Sequence, residues 1–295
     1  MESIIKTKLL TKRYGRTMGI DTLNLNVEQG DVFGFIGPNG AGKSTTIRVL
    51  LGLINITSGM AEVFGLDVRK HRKEIQQRIG YMPSEASYYS GMKVKDVVQM
   101  SAKLRRTNCK REANRLFDRF DLDENRRVED LSFGNKKKVS IVCALQHKPE
   151  LIILDEPTSG LDPLMQKEFW DALRERHNAG ATVFLSSHVL SEVQQYCKNI
   201  AIIREGRLVV QDSVEALSNS TARRVTLRGV RHLPLLPDGV LEQSKMDSDF
   251  TFLYKGSMED LTDFLAAAKF DDLYVTEPEM EELFLHFYAK AGVRK

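Results

Sequence analysis

Cysteine is scarce. The 295 residues contain three, Cys109, Cys143 and Cys197, far apart and with no CxxC pair or Cys/His cluster beside them. That argues against a disulfide framework or a zinc site and points to a reducing compartment. No apolar stretch approaches the roughly 20 residues needed to cross a bilayer, and the opening MESIIKTKLLTKRYG lacks the form of a signal peptide. A cytosolic chain is expected, with any membrane role coming through a partner. Charge of one sign is also missing: 43 Lys and Arg face 40 Asp and Glu, a formal net charge of +3. The basic runs at 68–78 and 103–115 carry Glu or apolar residues at helical spacing, so they read as solvated helix faces rather than a nucleic-acid patch. There is no internal repeat and no low-complexity tract. What is present is length for one large or two moderate domains and, at 42% hydrophobic residues, material for a core.

The first two-thirds alternates short apolar runs with amphipathic segments. DVFGFIG (31–37) leads into a loop and the helix-like KSTTIRVLLGL (43–53). LIILD (151–155) precedes the helical pattern at 164–177, and ATVFLSS (181–187) precedes that at 188–198. Uninterrupted apolar strands separated by helices imply a parallel sheet covered on both faces. Residues 84–147 have no comparable strand and read as a mostly helical insertion. The small polar stretch LSNSTA (217–222) reads as a linker. Beyond it, strands at RRVTLRGV, FTFLYKG and DDLYVTE, a helix at MEDLTDFLAAAKF and a last helix at EMEELFLHFYAK form a small α+β domain. Thr276 with Glu279 suits a capping box for that last helix.

FGFIGPNGAGKST (33–45) is the most specific stretch. Gly37, Gly42, Lys43 and Ser44 match G-x-x-x-x-G-K-[ST] at a strand-to-helix junction. With Pro38, Asn39, Gly40 and Ala41 the segment offers consecutive N–H groups that can turn inward around a phosphate, because glycine has no Cβ to obstruct it. The following helix points its positive end at the same anion. Lys43 can reach β- and γ-phosphates, and the hydroxyls of Ser44 and Thr45 follow. The expected ligand is a nucleoside triphosphate with Mg²⁺, Ser44 being a metal ligand. After the apolar strand LIILD, Asp155 is placed to hold Mg²⁺ directly or through water, and Glu156 to polarise the attacking water. Two adjacent carboxylates also suit a plain N-cap and turn; the phosphate loop upstream favours the metal reading.

Together these residues resemble the ATP-binding-cassette (ABC) ATPases over roughly 1–217. The resemblance implies an α/β fold of the P-loop NTPase type, with a mostly parallel core sheet, an antiparallel β subdomain and a helical subdomain at about 84–147. The smaller C-terminal accessory domain would take 218–295. LSFGNKKK (131–138) resembles the family signature, normally LSGGQ. Phe133 replaces the neighbour of the second glycine and Asn135 the glutamine, while Ser132 and Gly134 remain. In that family each signature faces the γ-phosphate held by a second subunit, so a head-to-tail homodimer is expected on ATP binding. Ser159, Gly160, Leu161 and Asp162 resemble the loop crossing that interface. His188 resembles the switch histidine that contacts γ-phosphate, and Tyr14 the aromatic that stacks on adenine; a half-buried strand tyrosine is the alternative for the latter. Lys43, Glu156 and His188 are thus the expected catalytic set. Where the family often has a glutamine that reaches the metal, Ser84 stands here; its side chain is too short for that distance, which leaves Glu85 or a water to bridge it.

The resemblance further implies ATP hydrolysis coupled to transport. The partner is an integral membrane permease of about six spans, holding the chain at the inner face of the cell membrane. One cassette with a short accessory domain resembles bacterial exporter subunits that handle drugs, antimicrobial peptides, polysaccharides or ions, and TEPEMEELFLHFY (276–288) resembles the end typical of that class. Tyr88, Tyr89 and Met92 are expected to be exposed and to anchor the permease. A soluble translation or DNA-repair clamp is the alternative. Such proteins carry two cassettes, long coiled-coil insertions or a pronounced basic surface, none of which is visible. No nucleic-acid partner is expected.

Overall fold

The computed structural model describes residues 2–218 and 222–276. In chain order the elements are β1 (Ser3–Tyr14), β2 (Thr17–Glu28), β3 (Val32–Ile36), α1 (Lys43–Leu50), β4 (Ser58–Val63), β5 (Leu66–Asp67), α2 (Arg72–Arg78) and β6 (Ile79–Met82). Then come α3 (Val94–Leu104), α4 (Lys110–Arg119), α5 (Phe133–Leu145), β7 (Leu151–Asp155), α6 (Pro163–Asn178), β8 (Thr182–Ser187), α7 (Leu190–Tyr196), β9 (Asn199–Arg204) and β10 (Arg207–Ser213). The remainder is α8 (Val214–Ser218), β11 (Arg223–Arg228), β12 (Val240–Met246), β13 (Asp249–Tyr254), α9 (Met258–Ala267) and β14 (Asp272–Thr276). The chain divides into two units, residues 1–211 and 212–295.

The first unit is built on a six-stranded sheet of order β10-β9-β3-β8-β7-β6. The neighbours β9, β3, β8, β7 and β6 run parallel. Every residue of β7 and β8 is buried, which explains why their sequences are continuous apolar runs rather than alternating ones: both faces of these strands are covered. Phe33 and Phe184 stack across β3 and β8 with ring centroids 5.8 Å apart, and Phe35 lies 5.4 Å from Phe184. Ile47 and Leu50 of α1, Leu151, Ile153 and Ile203 belong to the same buried cluster. A second, antiparallel sheet of order β2-β1-β4-β5 shares that core through Ile5, Leu10, Leu23, Leu25 and Val63. Here alternation is broken by bulges along β1, which blurs the period-2 signal in the sequence.

Between β6 and β7 lie α3, α4 and α5 with no strand. α3 buries Val94, Val97, Val98 and Ala102, and α5 buries Val139, Ile141, Val142 and Leu145. α5 meets the sheet at its C-terminal end: at Gly80 on β6 a Cβ would overlap the Ala144 carbonyl, so helix and strand touch backbone to backbone. α6 starts cleanly, with Asp162 as N-cap accepting from Met165 N at 3.0 Å and Pro163 in the first turn.

The second unit is a four-stranded antiparallel sheet, β12-β13-β11-β14, carrying α9. Val225, Leu227, Phe250, Phe252 and Tyr254 pack against Leu261 and Phe264 of α9. The three strands and the helix expected there form. The added strand β12, VLEQSKM, is mostly polar because it is a sheet edge, and a turn through Asp247 (φ 52°) joins it to β13. The last helix and the Thr276–Glu279 box lie outside the described residues.

Candidate functional site

The loop between β3 and α1 needs glycine for two separate reasons. At Gly37 a Cβ would lie 2.5 Å from the Ile203 carbonyl, and at Gly42 2.6 Å from the Gly19 carbonyl, so close backbone packing leaves no space. Gly40 and Gly42 also have φ of 81° and 108°, which side-chain-bearing residues rarely adopt. Ala41 N donates to the Pro38 carbonyl at 3.1 Å and Ala41 O accepts from Gly206 N at 2.9 Å, fixing the turn. Helix α1 follows with no acidic residue in its first turn, so nothing in that turn offsets the positive end of its dipole.

Lys43 is 6% exposed. Its Nζ donates to Gly37 O at 2.6 Å and Pro38 O at 3.3 Å, and lies 3.2 Å from Glu156 Oε1. Asp155, at the carboxyl end of β7, is 2% exposed and accepts from Ser186 Oγ at 2.6 Å. The next residue, Glu156, has φ 50°, which turns its side chain out of the strand direction toward the loop. Its N–H donates to Ser186 O at 3.1 Å, its carbonyl accepts from Lys137 Nζ at 2.8 Å, and its Oε2 is 2.6 Å from His188 Nδ1. Lys43, Glu156 and His188 therefore form one continuous chain of contacts, assembled from α1, the end of β7 and the end of β8.

A cavity of about 450 Å³ opens beside this chain. Its floor is Pro38, Asn39, Gly40 and Gly42 to Thr45, with Glu156 and Ser84 at one side and Tyr14 at another. Tyr14 is 45% exposed, with Lys12 Nζ 4.9 Å from its ring centroid, and a Cβ at Gly19 would press on its ring at 3.0 Å. The floor fits a polyphosphate, since it is a cradle whose shape depends on missing Cβ atoms. The Ser44 hydroxyl lines the cavity, while the Asp155 carboxylate is buried at the end of β7 and does not line it; both are oxygen donors of the kind Mg²⁺ takes alongside phosphates. The described residues hold no cluster of three His, Cys, Asp or Glu suited to a metal. Ser84 faces the cavity, whereas Glu85 is exposed and stands outside its wall.

Ser132 caps α5, its Oγ accepting from Asn135 N at 3.3 Å. The exposed Phe133 ring lies against Gly160, where a Cβ would overlap it, and Gly134 sits close to the Gly160 carbonyl. Ser159 and Gly160 are exposed, Leu161 is buried and Asp162 caps α6. The signature and the 159–162 loop thus lie together, and none of their residues lines the cavity. Tyr89 is 74% exposed, as expected. Tyr88 is turned inward instead, its hydroxyl 2.7 Å from Ser140 Oγ and donating to the Lys136 carbonyl at 3.2 Å. Two side chains that sequence reasoning missed are Ser186 and Lys137, both buried against Asp155 or Glu156; the Ser-Ser pair closing β8 is the only local signal for the first, and the basic run 136–138 hides the second.

A glycine-walled loop at a strand-to-helix junction, a lysine inside it and an acidic pair at the end of β7, one strand removed from β3 in the sheet, define a P-loop nucleoside triphosphatase. The signature-bearing helical segment and the antiparallel sheet narrow that class to the ATP-binding cassettes. The sequence matches the ABC transporter family over residues 20–159. It is 35% identical over 293 residues to YhaQ, an uncharacterized ABC transporter ATP-binding protein of Bacillus subtilis, covering 96% of this chain and 97% of that protein. Bacitracin transport ATP-binding protein BcrA of Bacillus licheniformis is 42% identical over 215 residues, 71% of this chain and 69% of that protein. A solved ATP-binding subunit of an ABC transporter superposes with a TM-score of 0.69 at 27% identity, covering 72% of this chain and 91% of that one. The protein belongs to the ABC transporter family. It is an ATP-binding, ATP-hydrolysing transporter subunit, and such subunits dimerise and work with membrane permeases. No helix among the described residues is long and apolar enough to cross a membrane.

Proposed function

We propose that this chain energises a separate, several-span membrane permease that exports its cargo, and that it does so by ATP-driven head-to-tail dimerisation at the cytoplasmic face. The observation that carries the reading is the contact chain Lys43–Glu156–His188 along the edge of the phosphate cradle. In this reading Lys43 and the loop N–H groups hold the phosphates; Ser44 and Asp155 would hold Mg²⁺, which would supply charge neutralisation at the transferring phosphoryl group. Glu156 accepts the proton of the attacking water, and His188 orients that carboxylate and meets the γ-phosphate. Tyr14 stacks on the base. Ser132 and Gly134 of one subunit complete the site of the other, with the 159–162 loop beside them, so closure reports bound ATP.

Export is supported by relatives named for bacitracin transport, daunorubicin/doxorubicin resistance and linearmycin resistance. A groove of about 480 Å³ lined by Leu51, Leu53, Tyr81 and Leu104 together with Lys73, Arg105 and Arg106 offers apolar surface with a basic margin for a permease's cytoplasmic segment; the exposed Tyr89 is a further anchor, whereas Met92, expected to be exposed, is half-buried. The test is Glu156→Gln: the variant should bind ATP, accumulate as an ATP-bound dimer in size-exclusion chromatography and lose nearly all turnover. Wild-type turnover in that variant would overturn the assignment of Glu156.

A further inference from the structure

We propose that Lys137 is a positioning residue for the hydrolytic carboxylate: its ammonium pins the peptide of Glu156 and ties the signature helix to the general base of the same chain. This rests on the reading of Glu156 given above. Lys137 is 2% exposed, on α5, and its Nζ donates to the Glu156 carbonyl at 2.8 Å. Burying an ammonium is costly, and an apolar side chain of similar length would fill the same space without that cost. Its partner here is a main-chain carbonyl at a position where the backbone itself is strained.

Glu156 has φ 50°, a left-handed conformation unusual for a side chain of this size. Such a conformation persists only when its surroundings hold it. The holding is two-sided: Ser186 takes the N–H, by its carbonyl at 3.1 Å and its Oγ at 3.3 Å, and Lys137 takes the carbonyl. With both flanks fixed, the carboxylate is directed between Lys43 and His188. Burial pulls the Lys137 ammonium toward neutrality, while the carboxylates of Asp155, Glu156 and Glu85 favour its charged form. The mechanical consequence follows from sequence spacing. Lys137 lies five residues after the α5 N-cap, Ser132, so a shift of the signature serine is carried by one rigid helix to the general base of its own subunit. Occupancy of one site of the dimer would in this way be felt at the other.

The test uses the full chain with Mg²⁺-ATP. Lys137→Met keeps the length and removes the donor; it should lower kcat about 10- to 100-fold, the scale of a small misplacement of a catalytic group, while KM for ATP stays within about threefold. Lys137→Gln, which keeps a donor on a shorter stem, should recover part of the lost kcat. If Lys137→Met fails to fold, the kcat and KM of Lys137→Gln decide by the same criterion: reduced kcat at constant KM supports positioning. A kcat within twofold of wild type, or equal losses in nucleotide binding and turnover, overturns it. Glu156→Gln separates the two readings. If wild type is active, Glu156→Gln is dead and Lys137→Met is unimpaired, only the role of Lys137 falls; a wild-type chain without turnover overturns both.

Discussion

Ser186→Ala removes one oxygen from the least visible part of the site. That hydroxyl is fully buried and donates to Asp155 Oδ1 at 2.6 Å, and it accepts from Glu156 N at 3.3 Å. A buried hydrogen bond to a charged group contributes about 1.5–3 kcal/mol. The Glu156 N–H keeps its second acceptor, the Ser186 carbonyl at 3.1 Å, so the loss is concentrated on Asp155. Each kcal/mol shifts Tm by about 2–4 °C in a unit of this size, which gives a fall of about 3–12 °C. Asp155 deprived of its donor also has more freedom to leave the orientation in which it would hold Mg²⁺. Thermal melts should therefore show the drop, and ATPase assays at graded Mg²⁺ should show a higher half-saturating concentration. A variant with the wild-type midpoint and an unchanged Mg²⁺ requirement would refute the idea that this hydroxyl holds Asp155.

Gly160→Ala should destabilise the chain by about 1–3 kcal/mol from the φ of 77° alone, with added overlap on Phe133; urea midpoints should recover partly in the double variant with Phe133→Ala, and a purely additive double variant would refute the coupling. His147 is a pH prediction. Burial, with the nearby Arg105 charge, lowers its pKa to about 4 from 6.5, so the folded chain keeps it neutral while the unfolded chain takes up a proton first. Its contribution is complete above about pH 6.5 and is lost as pH falls toward 4, by at most about 3 kcal/mol. His147→Gln should be less acid-sensitive than wild type across that window in urea titrations, and parallel curves would refute the assignment.

The phosphate loop and the strand carrying Asp155 were legible because their requirements are local: glycine where backbone passes close, apolar residues where both faces of a strand are covered. His188 was legible for the same reason, as the residue ending a buried strand. What the sequence hid depends on contacts between distant residues. Nothing in KKKV or FLSS announces that Ser186 and Lys137 converge on one residue 30 and 19 positions away. Tyr88 and Tyr89 look alike in sequence and part company in the fold, where the Tyr88 hydroxyl donates to the Lys136 carbonyl and lies within hydrogen-bond distance of Ser140 Oγ. The substitution of Phe133 into the signature likewise acquires a meaning only beside Gly160, whose missing side chain gives the ring its seat.

The backbone-on-backbone seat of α5 at Gly80 makes that helix a lever. Its fulcrum is at Ala144, near the C-terminal end, and its far end is Ser132, twelve residues away, or about 18 Å at 1.5 Å per residue. A rotation of about 10° at the fulcrum would sweep the serine through roughly 3 Å, the difference between touching a phosphate oxygen and missing it. With no side chain between them at the fulcrum, the two elements can tilt but have nothing compressible to absorb a slide. Small torques applied along the helical segment would thus be amplified at its tip.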